Sequence, residues 1–207
     1  GLPLSLLISK KDKVIGIDID KKKVSILNSN KSYLERIDNS KIRRFKNKKN
    51  IFCSDFSKLE DSNFIIICVP TPLKTNKSPD LSFVKNAVAK IKPHLKKGQT
   101  IILESTSYPG TTNDHIVKIL SKNFIIGKEL FVGFSSERID PGINDHKIDK
   151  IPKVVSGYSK LCLQIVSKFY GKYFKKIFKA ESLLIAEFSK LLENVYRSVN
   201  IAVSYTH

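Results

Sequence analysis

Apolar runs of strand length recur along this sequence and hardly alternate: VIGID at 14–18, IFCS at 51–54, FIIICV at 64–69, TIILES at 100–105, LFVGF at 130–134 and KVVSG at 153–157. FIIICV in particular reads as a strand buried on both sides, which is the condition of a parallel sheet covered by helices on each face. The intervening stretches carry helix signals. DKKKVSILNS places Val24, Ile26 and Leu27 for packing on a sheet. Asp80 opens a helix with Leu81, Val84, Val88, Ile91 and Leu95, which Gly98 closes and Pro93 kinks or shortens. Further helices are expected at about 112–121 and 160–169, a short strand near 176–178, and a long helix from Glu181. Repeated strand and helix units predict an α/β, doubly wound parallel sheet. Residues 29–50 read as a polar, lysine-rich stretch, and no internal repeat or low-complexity linker is found.

Composition excludes several classes. With 207 residues, 41% hydrophobic and 27% charged, the chain holds one domain with a core, or one domain plus part of another. The longest uncharged apolar stretch, 64–69, falls far short of the roughly 18 residues of a membrane span. Cys53, Cys68 and Cys162 are too few and too scattered for a disulfide framework or a CxxC metal knot. They read as small buried residues and fit a reducing cytoplasm, and no metal site is expected. Methionine is absent and residue 1 is Gly, so the chain reads as a piece of something longer. The opening GLPLSLLISK lacks the basic stretch and small-residue cleavage site of a signal peptide.

The formal charge of +18 raises a polyanion partner. Its distribution argues otherwise, because 32 of the 37 basic residues are lysine, spread along the whole chain. Readers of nucleic acid favour Arg forks and interleaved aromatics, and the densest run, Lys46 to Lys49, contains neither. Lysine on solvated faces is the reading adopted, without a nucleic-acid partner; a basic nucleic-acid-binding module is kept as the competing class.

In open parallel sheets the ligand crevice lies at the carboxyl ends of the strands. Asp18 ends VIGID, where an acid accepts from the adenosine ribose and favours NAD over NADP; a helix N-cap, by Asp18 or Asp20, is the alternative. Gly1 lies 17 residues earlier, placed to be the third glycine of a GxGxxG fingerprint cut by the start of the chain. Thr71 stands between two prolines in VPTPL, a rigid loop that lines a groove or merely ends a strand. ESTSYPGTT at 104–112 is rich in hydroxyls, with Thr111 and Asp114 spaced as a capping box. Glu137 and Arg138 follow a further strand in FSSERIDPG, where a surface ion pair is the plain explanation. In the last helix Leu184, Phe188, Leu191, Leu192, Val195 and Val199 share an apolar arc. Lys190 and Asn194, four apart, lie on a different face, where a lysine is ordinarily just solvated.

GLPL, VIGIDID, ICVPTPL, ESTSYPGTT, FSSERIDPG, IPKVVSG and EFSKLLENVYRSVNIA, in that order from Gly1 to about Ala202, resemble the nucleotide-sugar 6-dehydrogenases. The ERIDPG and YPGTT forms are more similar to the branch acting on UDP-N-acetylglucosamine or UDP-N-acetylmannosamine, with UDP-glucose 6-dehydrogenase as the alternative. The resemblance implies oxidation of the sugar C6 alcohol to a carboxylate with two NAD, serving polysaccharide synthesis in the cytoplasm. It implies a Rossmann-like sheet lacking its first strand over residues 1–180, then the start of a central, dimer-forming helix over 181–207. Gly1, Asp18, Lys23, Thr71, Thr106 and Glu137 are thereby similar to cofactor-binding positions, and Thr106, Glu137, Lys190 and Asn194 to catalytic ones. A hydroxyacid or 6-phosphogluconate dehydrogenase shares this fold without the KLLEN helix or ERIDPG loop. The family's nucleophilic cysteine stands in a GGxC-type loop that this sequence does not contain, so the chain by itself is expected to be inactive, an incomplete enzyme or a remnant.

Overall fold

The computed structural model describes residues 1–75, 78–136 and 145–206. The strands fall where the apolar runs predict them: β1 Ile15–Ile17, β2 Ile51–Cys53, β3 Phe64–Ile67, β4 Thr100–Leu103, β5 Phe131–Phe134, β6 Lys153–Gly157 and β7 Ile177–Lys179. They form two sheets, β1 beside β2 and the five-stranded order β3-β4-β5-β6-β7. Every ladder is parallel except β5–β6, where Gly133 faces Gly157 and Phe134 faces Ser156 in antiparallel register. Because β7 runs parallel to β6, both strands are reversed relative to β3–β5, and the doubly wound parallel expectation holds with that reversed pair at one edge. β1 and β3 carry no ladder partner on their free edges among the described residues.

Helices cover both faces of the larger sheet. On one, α4 (Ser82–Ile91) and the turn that leads through Asn113–Val117 into α5 (Lys118–Leu120) press Val84, Val88, Ile91, Ile116 and Leu120 onto Ile65, Ile67, Ile101, Leu103, Val132 and Phe134. On the other, α6 (Lys160–Gly171) packs Val166, Phe169 and Tyr170 against Ile102 and Val155. β3 departs from its reading as a strand buried on both sides. Ile65 and Ile67 are buried, while Phe64 and Ile66 are half-buried at the sheet edge, Phe64 stacking on Phe169 at 4.2 Å. α6 approaches β6 so closely that a Cβ on Gly157 would stand 2.2 Å from the Leu163 amide nitrogen, hence the glycine there.

Two helices escape the sequence patterning. α1 (Leu2–Ile8) has a proline in its first turn, the position where a missing N–H costs nothing, and its Leu7 and Ile8 join the α6 side of the core. α3 (Asn39–Asn47) lies within the lysine-rich stretch; Asp38 caps it and Ile42 and Phe45, three apart, are its buried face. With α2 (Lys21–Asn28), these helices enclose a small core in which Phe45 stacks on Phe52 of β2 at 4.4 Å. Burying each such side chain contributes about 2 kcal/mol, which suffices to fold a segment whose other positions are nearly all polar. As Pro93 predicts, α4 tightens into a single 3-10 turn, Lys92–His94, before Gly98 turns the chain in the left-handed region at φ 89°. α7 (Leu183–Thr206) is the expected long helix. No described helix is long and apolar enough to cross a membrane.

Candidate functional site

The turn after β1 resolves the choice between Asp18 and Asp20. Asp20 is the N-cap of α2, accepting from the amides of Lys22 and Lys23, while half-buried Asp18 accepts from the Asp20 amide at 2.9 Å and takes no part in the cap. Lys23 stays within this turn, 3.8 Å from the Asp20 carboxylate and over the Tyr33 ring at 5.7 Å. The Tyr33 phenol is pushed up by burial and by the charges of Asp18 and Asp20.

After β3 and β4 the chain builds a second rim. Thr71 donates to the Thr106 carbonyl at 2.6 Å and Ser105 to the Val69 carbonyl at 2.6 Å, so the VPTPL and ESTS loops are laced together. This leaves the Thr106 residue exposed on the laced edge. The capping box expected of Thr111 and Asp114 does not form: the Thr111 hydroxyl donates back to the Tyr108 carbonyl at 2.7 Å. The neighbouring helix start is served from elsewhere, as α7 shows. Among the described residues the Ser107 and Ser136 hydroxyls, like those of Ser54 and of Ser167 within α6, are buried without a hydrogen-bond partner.

Beneath the rim lies a charged cluster that sequence reasoning missed. Glu104, the first residue beyond β4, receives the Lys153 ammonium on one carboxylate oxygen at 2.7 Å and the Tyr170 hydroxyl on the other. Glu104 and Lys153 are both 5% exposed. Burial, then the Glu104 charge, push the Tyr170 phenol far above its ordinary value. A sequence signal existed, since charges flanked by apolar runs, as in TIILES and IPKVVSG, must pair when those runs are buried.

α7 holds the largest difference from the sequence reading. The apolar arc lies outward, with Leu184, Phe188, Leu192, Val195 and Val199 each more than half exposed. Turned inward are Leu183, Ala186, Glu187 and Lys190, the last only 7% exposed rather than solvated. Glu187 is fully buried and accepts from the Gly110 amide (2.6 Å), the Thr112 amide (2.8 Å) and the Thr112 hydroxyl (2.6 Å). These bonds bind α7 to the YPGTT loop and hold Lys190, three residues on, against the domain. Burial raises the Glu187 carboxyl, opposed by the hydrogen bonds from Thr112 and Gly110. Asn194, one turn further, is half-buried.

Gly1 caps α1 at the end of β3, where an added Cβ would come within 3.3 Å of the Cys68 Cβ. Of the cysteines read as buried, only Cys162 is so; Cys53, the last residue of β2, is half-buried, and Cys68, just past β3, is exposed. Glu137, with the ERIDPG loop, lies outside the described residues. No cluster of metal-ligating side chains occurs among the described residues.

A largely parallel, doubly covered sheet, with a half-buried acid after β1 and hydroxyl-bearing loops after β3 and β4, defines a Rossmann-like, NAD-binding domain. A model of the UDP-glucose/GDP-mannose dehydrogenase family's NAD binding domain matches residues 1–174. The chain belongs to that family. It is 36% identical to Protein CapL of Staphylococcus aureus over 206 residues, 98% of this chain and 48% of CapL. It is 34% identical to the UDP-N-acetyl-D-glucosamine 6-dehydrogenase of Salmonella typhi, with the same coverage. Among solved structures, the UDP-D-ManNAc dehydrogenase of Pyrococcus horikoshii superposes with a TM-score of 0.91 at 28% identity, over 98% of this chain and 49% of that one. The chain thus spans about half the length of the curated relatives it matches.

Proposed function

We propose that the protein to which this domain belongs oxidises the C6 alcohol of a UDP-N-acetylhexosamine to a carboxylate, passing two hydrides to NAD, in cytoplasmic polysaccharide synthesis. The observation that carries this reading is α7, which Glu187 bonds to the hydroxyl-rich loop while Lys190 is buried at the domain surface. An ammonium held there stabilises the alkoxide-like states at C6; Asn194 positions water and Glu137 manages its proton. Thr106 and Thr71 line the cofactor groove, with Gly1 at the phosphates and Asp18 and Lys23 on the adenosine side. The relatives named for UDP-N-acetylated sugars favour the hexosamine branch over UDP-glucose.

Residues 1–180 are the cofactor domain in this proposal, and 181–207 begin a central helix whose outward apolar face pairs with a second copy in the whole protein. The sequence contains no GGxC motif, so the chain alone binds NAD without turnover. The test is titration of NADH fluorescence with the chain and its Asp18→Ala variant, followed by absorbance at the NADH band with UDP-N-acetylglucosamine and UDP-N-acetylmannosamine. Binding that depends on Asp18, without turnover, supports the proposal. Binding indifferent to Asp18 refutes the assignment of that acid, and NADH formation by the chain alone refutes the need for the GGxC thiol.

A further inference from the structure

The charge cluster under the rim is buried, joins three elements and has no part in the chemistry proposed above. A buried ion pair seldom stabilises a fold more than apolar residues of the same size, because desolvation offsets its attraction. Its geometry has a second consequence. β6 runs antiparallel to β5, so its first residue lies beside the carboxyl end of β5; in a parallel β6 that residue would start from the opposite edge of the sheet. The reversal delivers Lys153 to the rim. There its ammonium donates to Glu104 at 2.7 Å and to the Ser136 carbonyl at 3.2 Å, between the rings of Tyr170 (5.2 Å) and Phe174 (5.3 Å). Glu104 opens the loop that carries Thr106, and Ser136 lies just past the end of β5.

We propose that Lys153 is a positioning residue: by tying Glu104 to the Ser136 carbonyl it sets the spacing between the loops that leave β4 and β5, and so the shape of the groove that receives NAD. The proposal rests on the cofactor reading given above. Glu104 has both oxygens engaged, so it supports the loop rather than meeting a ligand. A group held by several bonds to rigid strands and a packed helix is the kind of support that keeps a binding loop at its working geometry. A purely structural lysine would instead affect the fold as a whole.

Hydrogen exchange followed by mass spectrometry, beside NADH titration, separates these roles in the 207-residue chain. In Lys153→Met, amides 104–107 and 135–136 are expected to exchange about tenfold faster, with those of β3 unchanged and NADH bound about tenfold more weakly. Glu104→Gln keeps an acceptor for Lys153 but leaves its buried ammonium without a counter-charge, so it is expected to speed the same amides and weaken NADH binding, by less than Lys153→Met does; an effect spread evenly over the chain counts against the proposal. Unchanged exchange in Lys153→Met, exchange raised equally throughout, or loosened loops with unaltered NADH affinity each overturn the proposal. If Lys153→Met does not fold, Lys153→Arg, with the charge kept and the tie lengthened, must show a smaller increase confined to the same amides. A wild-type chain that fails to bind NADH ends the cofactor reading itself, and the exchange pattern then decides whether Lys153 ties the loops.

Discussion

The turn after β1 and the loop after β4 both present polar groups at the end of a strand, yet they are held in different ways. At the first, Asp18, Asp20 and Lys23 bond within five residues of one another, partly exposed. At the second, the partners come from far along the chain: Glu187 reaches Gly110 and Thr112, Lys153 reaches Glu104, and Thr71 reaches Thr106. Local bonds in water are weak and forgiving, since either partner can turn to solvent. Buried bonds between distant elements leave an unpaired donor or charge when one partner is lost. The fold therefore tolerates change in the turn after β1, whereas the loop after β4 depends on partners from the whole fold.

That contrast breaks most visibly at Glu187. Glu187→Leu strands three donors and is expected to cost about 3 kcal/mol in urea unfolding; a loss under about 1 kcal/mol would mean that α7 is not anchored there. Asp18→Ala is expected to weaken NADH binding about tenfold, equivalent to roughly 1.4 kcal/mol, while leaving the unfolding midpoint near wild type. Asp20→Ala removes the α2 cap and is expected to cost about 1 kcal/mol of stability with less effect on NADH. An equal effect of the two substitutions on cofactor affinity would blur the division between cap and ligand.

Glu187 also sharpens the comparison through pH. Its folded carboxyl lies above the unfolded value, so the native state keeps the proton longer as pH rises, and ionisation takes stability away. Relative to Glu187→Gln, the wild-type chain is expected to be most favoured below the unfolded value of about 4.3, losing that advantage as pH climbs through the raised one. Unfolding of both proteins between about pH 4 and 7 checks the sign. A gap that widens with pH would contradict burial as the dominant cause. The smallest effect belongs to the outward face of α7, where Leu192→Asp is expected to change the stability of this chain by less than about 0.5 kcal/mol. In the whole protein the same change is expected to reduce self-association in sedimentation.

Some of this was legible in the letters and some was not. The strand-sized apolar runs each became a strand because burial on a sheet tolerates little else. α3 was not legible, since two buried residues among lysines produce almost no periodic signal until Phe52 is there to stack on. For α7 the apolar arc is real, but the expectation that a lysine off the arc is solvated fails, because the domain covers the face that carries Glu187 and Lys190. Periodicity says that a helix has two faces and leaves open which one a neighbour takes. Of the candidate site residues, Asp18 and Thr71 were singled out from strand ends and Lys190 and Asn194 from their spacing on one helix, while Thr106 and every catalytic role came from resemblance.

Sequence alone determined the alternation of strands and helices, the acid after β1 and the family, because each is written in neighbouring residues or in motifs read in order. Only the tertiary structure decided that β6 runs backwards, that Lys153 and Glu104 meet beneath the rim, and that Glu187 turns α7 so that its lysine is covered and its apolar stripe is not. The last two outcomes depend on contacts between residues 49 to 77 positions apart. Their energy is one of desolvation and pairing, which does not exist until the chain has closed around them.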